Sequence, residues 1–313
     1  MPILVPSVAP PEQQQPGVPW PTRVNELPTV TFTDPGGTVT AFSDWANGWV
    51  LQPGAKGLDM PTYAFTQDES PGIDGYAIRQ VRAGGKEISL PVAFWADDSR
   101  AAYLQRRRAL IRSLNPKRGL GTLTVTQADG TARTIGACYS AGLEGDESLD
   151  ASGARWCICA LTFDCPSPFW LGAEVTTEWR AAVAGSFFPV LPLVVGNSQV
   201  LGSVTVDNDG DDIAYPVWTV TGPATAISLT NVTTGEVLVI NHTITVGDTV
   251  VIDTRQRQQT ALLNGSTNLW GDLTDASTMW ALQPGINDLT LTVSGSTSST
   301  RVRMTYQPRY LAA

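Results

Sequence analysis

Side chains suited to catalysis are scarce in this chain of 313 residues. His242 is its single histidine, so a Ser-His-Asp triad would have to include it, and the sequence holds no G-x-S-x-G nucleophile elbow. H-E-x-x-H, Walker and dinucleotide-binding motifs are also absent from the sequence. We therefore expect no catalytic residues, no cofactor and no enzymatic activity.

The four cysteines are the first candidates for metal ligands: Cys138, Cys157, Cys159 and Cys165. Cys157 and Cys159 are two residues apart, so on a strand their side chains share one face. A zinc site is conceivable, but this spacing matches no recognised zinc pattern. Burial as small apolar side chains is the favoured interpretation, and we predict no metal site.

An acidic cluster resembles a calcium loop at first sight; it consists of Asp207, Asp209, Asp211 and Asp212. The twelfth position of such a loop requires a glutamate, and that position is Trp218 here. The cluster is therefore interpreted as a solvated turn.

One segment, between Asp97 and Asn115, has the pattern of a helix with a basic surface. Asp97 or Asp98 is suited to cap its N-terminus, and Asn115 followed by Pro116 ends it. The apolar residues at helical spacing are Tyr103, Leu104, Leu110, Ile111 and Leu114. The basic residues that lie mostly elsewhere are Arg106, Arg107, Arg108 and Arg112. These arginines are either a solvated face or a contact for an acidic neighbouring subunit.

The remaining sequence predicts a mainly β protein of two domains. Residues 1–22 are rich in Pro and Gln and predict a flexible arm. Residues 23–172 form the first predicted domain, which contains the helix, and residues 173–202 form a linker. In residues 203–313, strands recur about every 8–12 residues between turns, which is typical of an antiparallel sandwich or barrel.

The charge balance excludes further classes of function. Lys and Arg number 20 against 29 Asp and Glu, a net charge of -9 that argues against sequence-specific nucleic-acid binding.

No apolar stretch approaches the roughly 18 residues of a membrane span. The N-terminus lacks the basic region of a signal peptide. We therefore expect a product of a cytoplasm without a membrane span.

The order of these features resembles that of the distal tail proteins of siphophages, the bacteriophages with long, non-contractile tails. The first stretch that carries the resemblance joins E-I-S-L-P-V-A-F-W-A-D-D to the helix and N-P-K-R-G-L-G-T-L. The second stretch is L-T-F-D-C-P-S-P-F-W. The third begins with D-N-D-G-D-D-I-A-Y-P-V-W-T-V-T-G-P and ends with Y-Q-P-R-Y-L-A-A. The resemblance covers residues 45–313 and leaves out the arm.

The resemblance implies a structural virion protein at the tail tip, present in the host cytoplasm during assembly. Residues 23–172 would be a belt-like β-sandwich or split barrel with one helix, and six copies would form a ring. Residues 203–313 would be a galectin-like jelly-roll sandwich at the periphery. The hexameric ring would connect the tail tube protein to the tail-tip or tail-associated protein of the baseplate. Its channel would admit DNA and the tape measure protein.

Ring formation of this kind is head-to-tail, so each subunit needs two different, complementary faces. The basic helix would supply one face through Arg106, Arg107, Arg108 and Arg112. An acidic loop would supply part of the other through Glu144, Asp146 and Glu147.

A carbohydrate-binding adhesion module that contacts host cell-surface glycans is the alternative function. Aromatic side chains that could stack on sugars are Trp218, Trp270 and Trp280. Trp218 and Trp280 lie within apolar strand patterns, which favours a core position for both. A glycoside hydrolase or esterase is disfavoured, because the paired carboxylates and nucleophile motifs of such enzymes are not recognisable.

Overall fold

The computed structural model describes residues 27–69, 72, 74–144, 155–181 and 199–313. The predicted arm, residues 1–22, lies outside these ranges. Within them the chain is mainly β with one α-helix, which confirms the predicted fold class. The predicted division into an arm, two domains and a linker stays a prediction.

The first half of the chain contains the helix and ten strands within the described residues. The strands are β1 Thr29–Thr33, β2 Val39–Ala41, β3 Trp49–Leu51, β4 Tyr63–Asp68, β5 Ala77–Ala83, β6 Lys86–Trp95, β7 Gly121–Thr126, β8 Ala132–Ala141, β9 Trp156–Cys165 and β10 Trp170–Leu171. The helix is α1, Arg100–Ser113, and short 3-10 turns span Trp45–Asn47 and Pro116–Arg118.

The main sheet of this half is antiparallel and runs β2-β1-β7-β8-β9-β6-β3. The sheet curls so that its two edges meet. Phe42, next to β2 at one edge, packs against Trp49 of β3 at the other, with their ring centroids 6.0 Å apart. Phe32 of β1 similarly reaches Phe163 of β9 at 5.3 Å. Inward-facing residues of every second position therefore enclose one apolar core.

Helix α1 packs on this core through a narrow stripe. Tyr103, Leu110 and Leu114 are buried, and the Tyr103 ring stacks on Phe94 at 5.6 Å. Ile111 was expected on the same face but is exposed, because it lies about 100° around the helix from Leu110. Burial of each large apolar side chain contributes roughly 1.5–3 kcal/mol to this docking. Among the described residues, no helix has the length and apolar character needed to span a membrane.

The cap of α1 differs from the predicted one. Ser99, not Asp97 or Asp98, is the N-cap, and its Oγ accepts a hydrogen bond from the Ala102 amide at 3.1 Å. Ser99 has extended backbone angles immediately before the first helical residue, which is the position from which a side chain reaches the free amides. The helix ends at Ser113 with Leu114 as its C-cap, immediately before the predicted stop at Asn115 and Pro116. Asn115 Oδ1 accepts a hydrogen bond from the Lys117 amide at 3.1 Å.

A buried carboxylate connects the β1–β2 turn to the 3-10 turn that follows α1. Asp34 Oδ1 accepts hydrogen bonds from the Thr38 amide at 2.9 Å and the Gly36 amide at 2.8 Å. Its Oδ2 accepts from Arg118 Nη1 at 2.7 Å. The Thr38 amide, followed by Gly36 and Arg118, lowers the pKa of Asp34 below its ordinary value.

The second half of the chain consists of β-strands and one 3-10 turn within the described residues. The strands are β11 Val175–Arg180, β12 Gln199–Val200, β13 Ser203–Asn208, β14 Val217–Thr221, β15 Ala226–Asn231, β16 Glu236–Ile240, β17 Thr249–Asp253, β18 Thr260–Leu263, β19 Thr267–Asn268, β20 Gly285–Ser294, β21 Arg301–Tyr306 and β22 Arg309–Tyr310. The turn spans Trp270–Asp272.

Two sheets of this half pack face to face as a sandwich. One runs β12-β11-β21-β14-β17-β18-β19 and the other runs β13-β20-β15-β16. Their inner faces share one core, in which Trp218 lies 5.5 Å from Trp280 and 6.2 Å from Trp179. The alternation of buried and partly exposed residues along β14 and β15 follows from this packing on one side only.

The last strand, β22, leaves the sandwich and joins the first half. It pairs with β10, which also pairs with β8 of the curled sheet. The Arg133 guanidinium lies 3.8 Å from the centre of the Tyr310 ring, and Nζ of the buried Lys86 donates to the Leu311 carbonyl at 2.9 Å. The segment 307–313 therefore connects the two cores by backbone and side-chain contacts.

Candidate subunit interface

The four arginines of α1 do not form one uniform basic face. Arg108 and Arg112 are exposed, whereas Arg106 and Arg107 are half-buried. Arg112 Nε donates to the Arg108 carbonyl at 3.4 Å, so the two exposed arginines lie on successive turns. This exposed pair is the part of the predicted basic face that a neighbouring subunit can contact.

Arg106 has a role inside the subunit. Its Nη1 donates to the Trp95 carbonyl at the end of β6. Gly48, at φ +73, makes room for this contact, since a Cβ there would lie 2.4 Å from Nη1 of Arg106 and 2.5 Å from the Trp95 oxygen. Arg106 therefore connects α1 to the curled sheet through a hydrogen bond within the subunit.

The acidic side of the predicted contact is only partly described. Glu144 is exposed and lies three residues after the end of β8. Asp146 and Glu147 lie outside the described residues. The pairing of this acidic loop with the basic helix of another subunit therefore stays a prediction.

The apolar face of the hairpin β4–β5 is a candidate functional feature that sequence reasoning missed. The two strands pair only with each other among the described strands, and nearly all of their residues are exposed. Three large apolar side chains are about half exposed: Phe65 at 53%, Ile78 at 53% and Val81 at 52%. Two-stranded hairpins are marginally stable alone, so an apolar hairpin of this kind needs a partner surface.

A β-bulge places these three side chains on one face. Phe65 pairs directly with Val81, and directly opposed residues share a face. The register then shifts, so that Gln67 pairs with Ile78 instead of Arg79. Because Gln67 is two residues beyond Phe65, Ile78 is brought to the same side. We call Phe65, Ile78 and Val81 the hairpin face.

The opposite side of the hairpin is polar. Thr66 pairs with Gln80, and Asp68 forms an ion pair with Arg79 at 2.5 Å. The hairpin is thus amphipathic although no described element covers its apolar side. The alternation of Tyr63 and Phe65 predicts a strand from sequence. The bulge interrupts the alternation in β5, so the sequence pattern does not show that Ile78 lies on the same side as Phe65.

The tryptophans proposed for glycan stacking occupy different environments. Trp218 is 0% exposed and Trp280 is 2% exposed, so both lie in the core, and neither ring can stack on a sugar. Trp280 Nε1 donates to the Leu229 carbonyl at 3.0 Å, which satisfies its only polar atom. Trp270 is 48% exposed. The carbohydrate-binding alternative therefore depends on Trp270 alone among the three.

The remaining candidates for chemistry have structural surroundings. His242 Nδ1 lies 2.9 Å from an Asp272 carboxylate oxygen. Cys157, Cys159 and Cys165 are buried, as expected for small apolar side chains, whereas Cys138 is only half-buried. Burial raises the pKa of both Cys159 and Cys165 to about 12, so both stay protonated thiols at neutral pH.

The acidic cluster holds the segment that joins the two cores. Asp211 Oδ2 accepts from the Leu311 amide at 2.9 Å, and Asp212 lies 3.9 Å from Arg309. Arg309 Nη1 also donates to the Ile213 carbonyl at 3.1 Å. These carboxylates contact β22 and the residue after it, so the predicted solvated turn is in part an intramolecular contact.

Comparison with known proteins connects this architecture to phage tails. Residues 209–310 match the family model of the siphovirus-type tail component, C-terminal domain. The chain is similar to the crystal structure of SPP1 Dit, called a paradigm of the hub adsorption apparatus in phages that infect Gram-positive bacteria. That match has a TM-score of 0.65 and 14% identity, over 90% of this chain and 99% of that one.

Two structures of the phage P2 baseplate in its activated conformation, with Ca and with Sr, also match. Their TM-scores are 0.49 and 0.48 at 12% identity, over 89% of this chain and 98% of theirs. Curated proteins give no match. The resemblance to distal tail proteins that the sequence indicated is confirmed. Residues 209–310 thus match the siphovirus-type tail component family, on a chain that is similar in fold to SPP1 Dit over 90% of its length.

Proposed function

We propose that this protein is a structural, non-enzymatic subunit of the distal tail hub. Six copies form a ring that connects the tail tube to the tail tip and baseplate, and the open centre admits DNA and the tape measure protein. The protein belongs to the virion tail tip and resides in the host cytoplasm during assembly. The observation that carries this proposal is the fold shared with SPP1 Dit over 90% of the chain, together with the family match of residues 209–310.

The hairpin face supports association between copies. A closed head-to-tail ring needs two different faces on each subunit, so that every copy gives one and receives the other. An amphipathic hairpin whose apolar side is uncovered is suited to give, because burial on a neighbour would stabilise both the hairpin and the contact. The exposed pair Arg108 and Arg112 would add a charged contact to an acidic neighbour.

The test is the mass and shape of the purified full-length chain. Six chains of 33.4 kDa give about 200 kDa by light scattering, and negative-stain images should show six-fold rings with an open centre. A second sample with co-expressed tail tube protein covers assembly that requires a partner. Monomers in both samples would contradict the proposal.

A further inference from the structure

An apolar groove of about 760 Å³ lies on the outer side of the curled sheet, where β6 ends and β9 begins. It is open to solvent, and no described element covers it. We call it the tryptophan groove. Six residues form most of its walls and floor: Trp45, Trp95, Trp156, Val50, Ala93 and Ile158.

The sheet register explains the shape of the groove. Val50 pairs with Ala93, and Ala93 pairs with Ile158, so these three form one row across three strands. They point outward because their chain neighbours Phe94 and Cys157 point into the core. The small alanine between two larger side chains makes a depression in the middle of the row.

Tryptophan rings border this depression. Trp95 pairs with Trp156 in the next row, and Trp45 meets Trp95 edge to face at 4.9 Å. Trp45 and Trp156 are exposed. Arg155 and Gln52 lie at the rim, where their N–H groups can donate to carbonyl oxygens of a bound chain. Aromatic grooves with a few donors of this kind bind proline-rich segments.

The chain itself contains such a segment. Residues 1–22 include seven prolines, one tryptophan, Trp20, and a single charged side chain, Glu12. Prolines lack an amide donor but keep their carbonyl acceptors, and they lose little conformational entropy on binding. We propose that residues 1–22 bind in the tryptophan groove. The proposal does not depend on ring formation, since the segment and the groove can belong to the same copy.

The length of the segment is sufficient to reach the groove. β1 begins at the end of the sheet where Thr29 pairs with Thr126, and Thr126 pairs with Ala132. Ala132 is six residues from Cys138, which pairs with Asp164, and the groove residue Trp156 is eight residues further along β9. The groove therefore lies roughly 45 Å away along the sheet. Twenty-six residues precede Leu27, and an extended proline-rich chain spans about 3.1 Å per residue, or roughly 80 Å in all.

Two other segments outside the described residues fit less well. Residues 145–154 precede the groove residue Arg155 in sequence but carry Asp146, Glu147 and Asp150, a poor match to an apolar floor. Residues 182–198 are apolar, but in sequence they lie between β11 and β12 of the other half, which leaves neither end free. Residues 1–22 combine the proline content and the length that the groove requires.

Photo-crosslinking in the full-length chain tests the proposal. Val8, between Pro6 and Pro10, is replaced by a benzophenone-bearing amino acid, and the cross-linked peptides are identified by mass spectrometry. We expect cross-links to peptides that contain Trp45, Trp95 or Trp156. Mixing isotopically heavy and light chains shows whether the segment comes from the same copy or from a neighbour, and either source supports the proposal.

A groove-filling variant, Ala93→Leu, provides the matched control. The added side chain occupies the floor of the groove, and the cross-linking yield should fall about tenfold while the melting temperature stays close to that of the parent. Replacing Pro6, Pro10 and Pro11 together by alanine should lower the yield similarly without any change to the folded sheet. Cross-links that map to the hairpin β4–β5 or elsewhere outside the groove would overturn the proposal, as would their absence.

Discussion

Weakening the hairpin face should weaken ring formation by an amount that its exposure sets. Phe65 is 53% exposed, so about 100 Å² of its surface is available for burial on a neighbour. At about 25 cal/mol per Å² this area corresponds to roughly 2.5 kcal/mol at each contact. Phe65→Thr keeps a good strand former and part of the side chain, so the expected loss is about 1.5–2 kcal/mol per contact.

Such a loss has a measurable effect on assembly. It weakens each contact about 10- to 30-fold and raises the concentration at half assembly by a similar factor. Sedimentation velocity over a dilution series of the full-length chain measures that concentration. Ile78→Thr and Val81→Thr should act in the same direction, because both side chains lie on the same face as Phe65.

The matched control is Gln80→Thr. Gln80 lies in the same hairpin, is exposed and pairs with Thr66 on the polar side, so this variant should assemble like the parent. Thermal denaturation of all variants checks that the two cores are intact. If Phe65→Thr assembled at the same concentrations as the parent chain, the hairpin face would not be a subunit contact and the reasoning would be refuted.

Three further predictions follow from the described contacts. Arg108→Glu with Arg112→Glu should weaken assembly by about 0.5–1 kcal/mol per contact at low salt; an effect that persisted at about 1 M salt would argue against a charge contact. The lowered pKa of Asp34 means that its carboxylate stabilises the fold fully above its unfolded pKa, and that this stabilisation is lost as pH falls from that value through the lower folded pKa. The gap in melting temperature between the parent and Asp34→Asn should thus narrow between pH 7 and about pH 3; a constant gap would contradict this. Trp280→Ala should lose about 3–5 kcal/mol of stability in urea unfolding, whereas Trp270→Ala should change it by less than about 0.5 kcal/mol.

The sequence predicts those parts of the fold that have a local cause. Helix α1 ends at Ser113, just before Asn115 and Pro116 as expected, and the buried stripe on this segment includes Tyr103, Leu110 and Leu114. Cys157 and Cys159 share a buried face because a strand alternates with a period of two. The cap was misplaced because several polar residues precede the helix, and only the backbone angles select Ser99.

The features that sequence reasoning did not find depend on distant parts of the chain or on the register. The hairpin face arises from a one-residue register shift, which moves Ile78 to the side of Phe65. The tryptophan groove arises from the pairing of Trp95 with Trp156, two residues far apart in sequence. Neither arrangement has a periodic signal, because strand pairing between distant segments is set by the whole sheet.

The position of β22 bears on how the two halves of the proposed hub act together. The strand pairs with β10 on one side, and Leu311, next to it, accepts from Lys86 of the first core. The Leu311 amide donates to Asp211 of the other half. Desolvation lowers the pKa of the buried Lys86, but two carbonyl oxygens accept hydrogen bonds from its ammonium group. The segment formed by β22 and Leu311 thus contacts both halves. Moving one half relative to the other would therefore break polar contacts of this segment. In a ring, that coupling would fix the peripheral sandwiches relative to the subunit contacts.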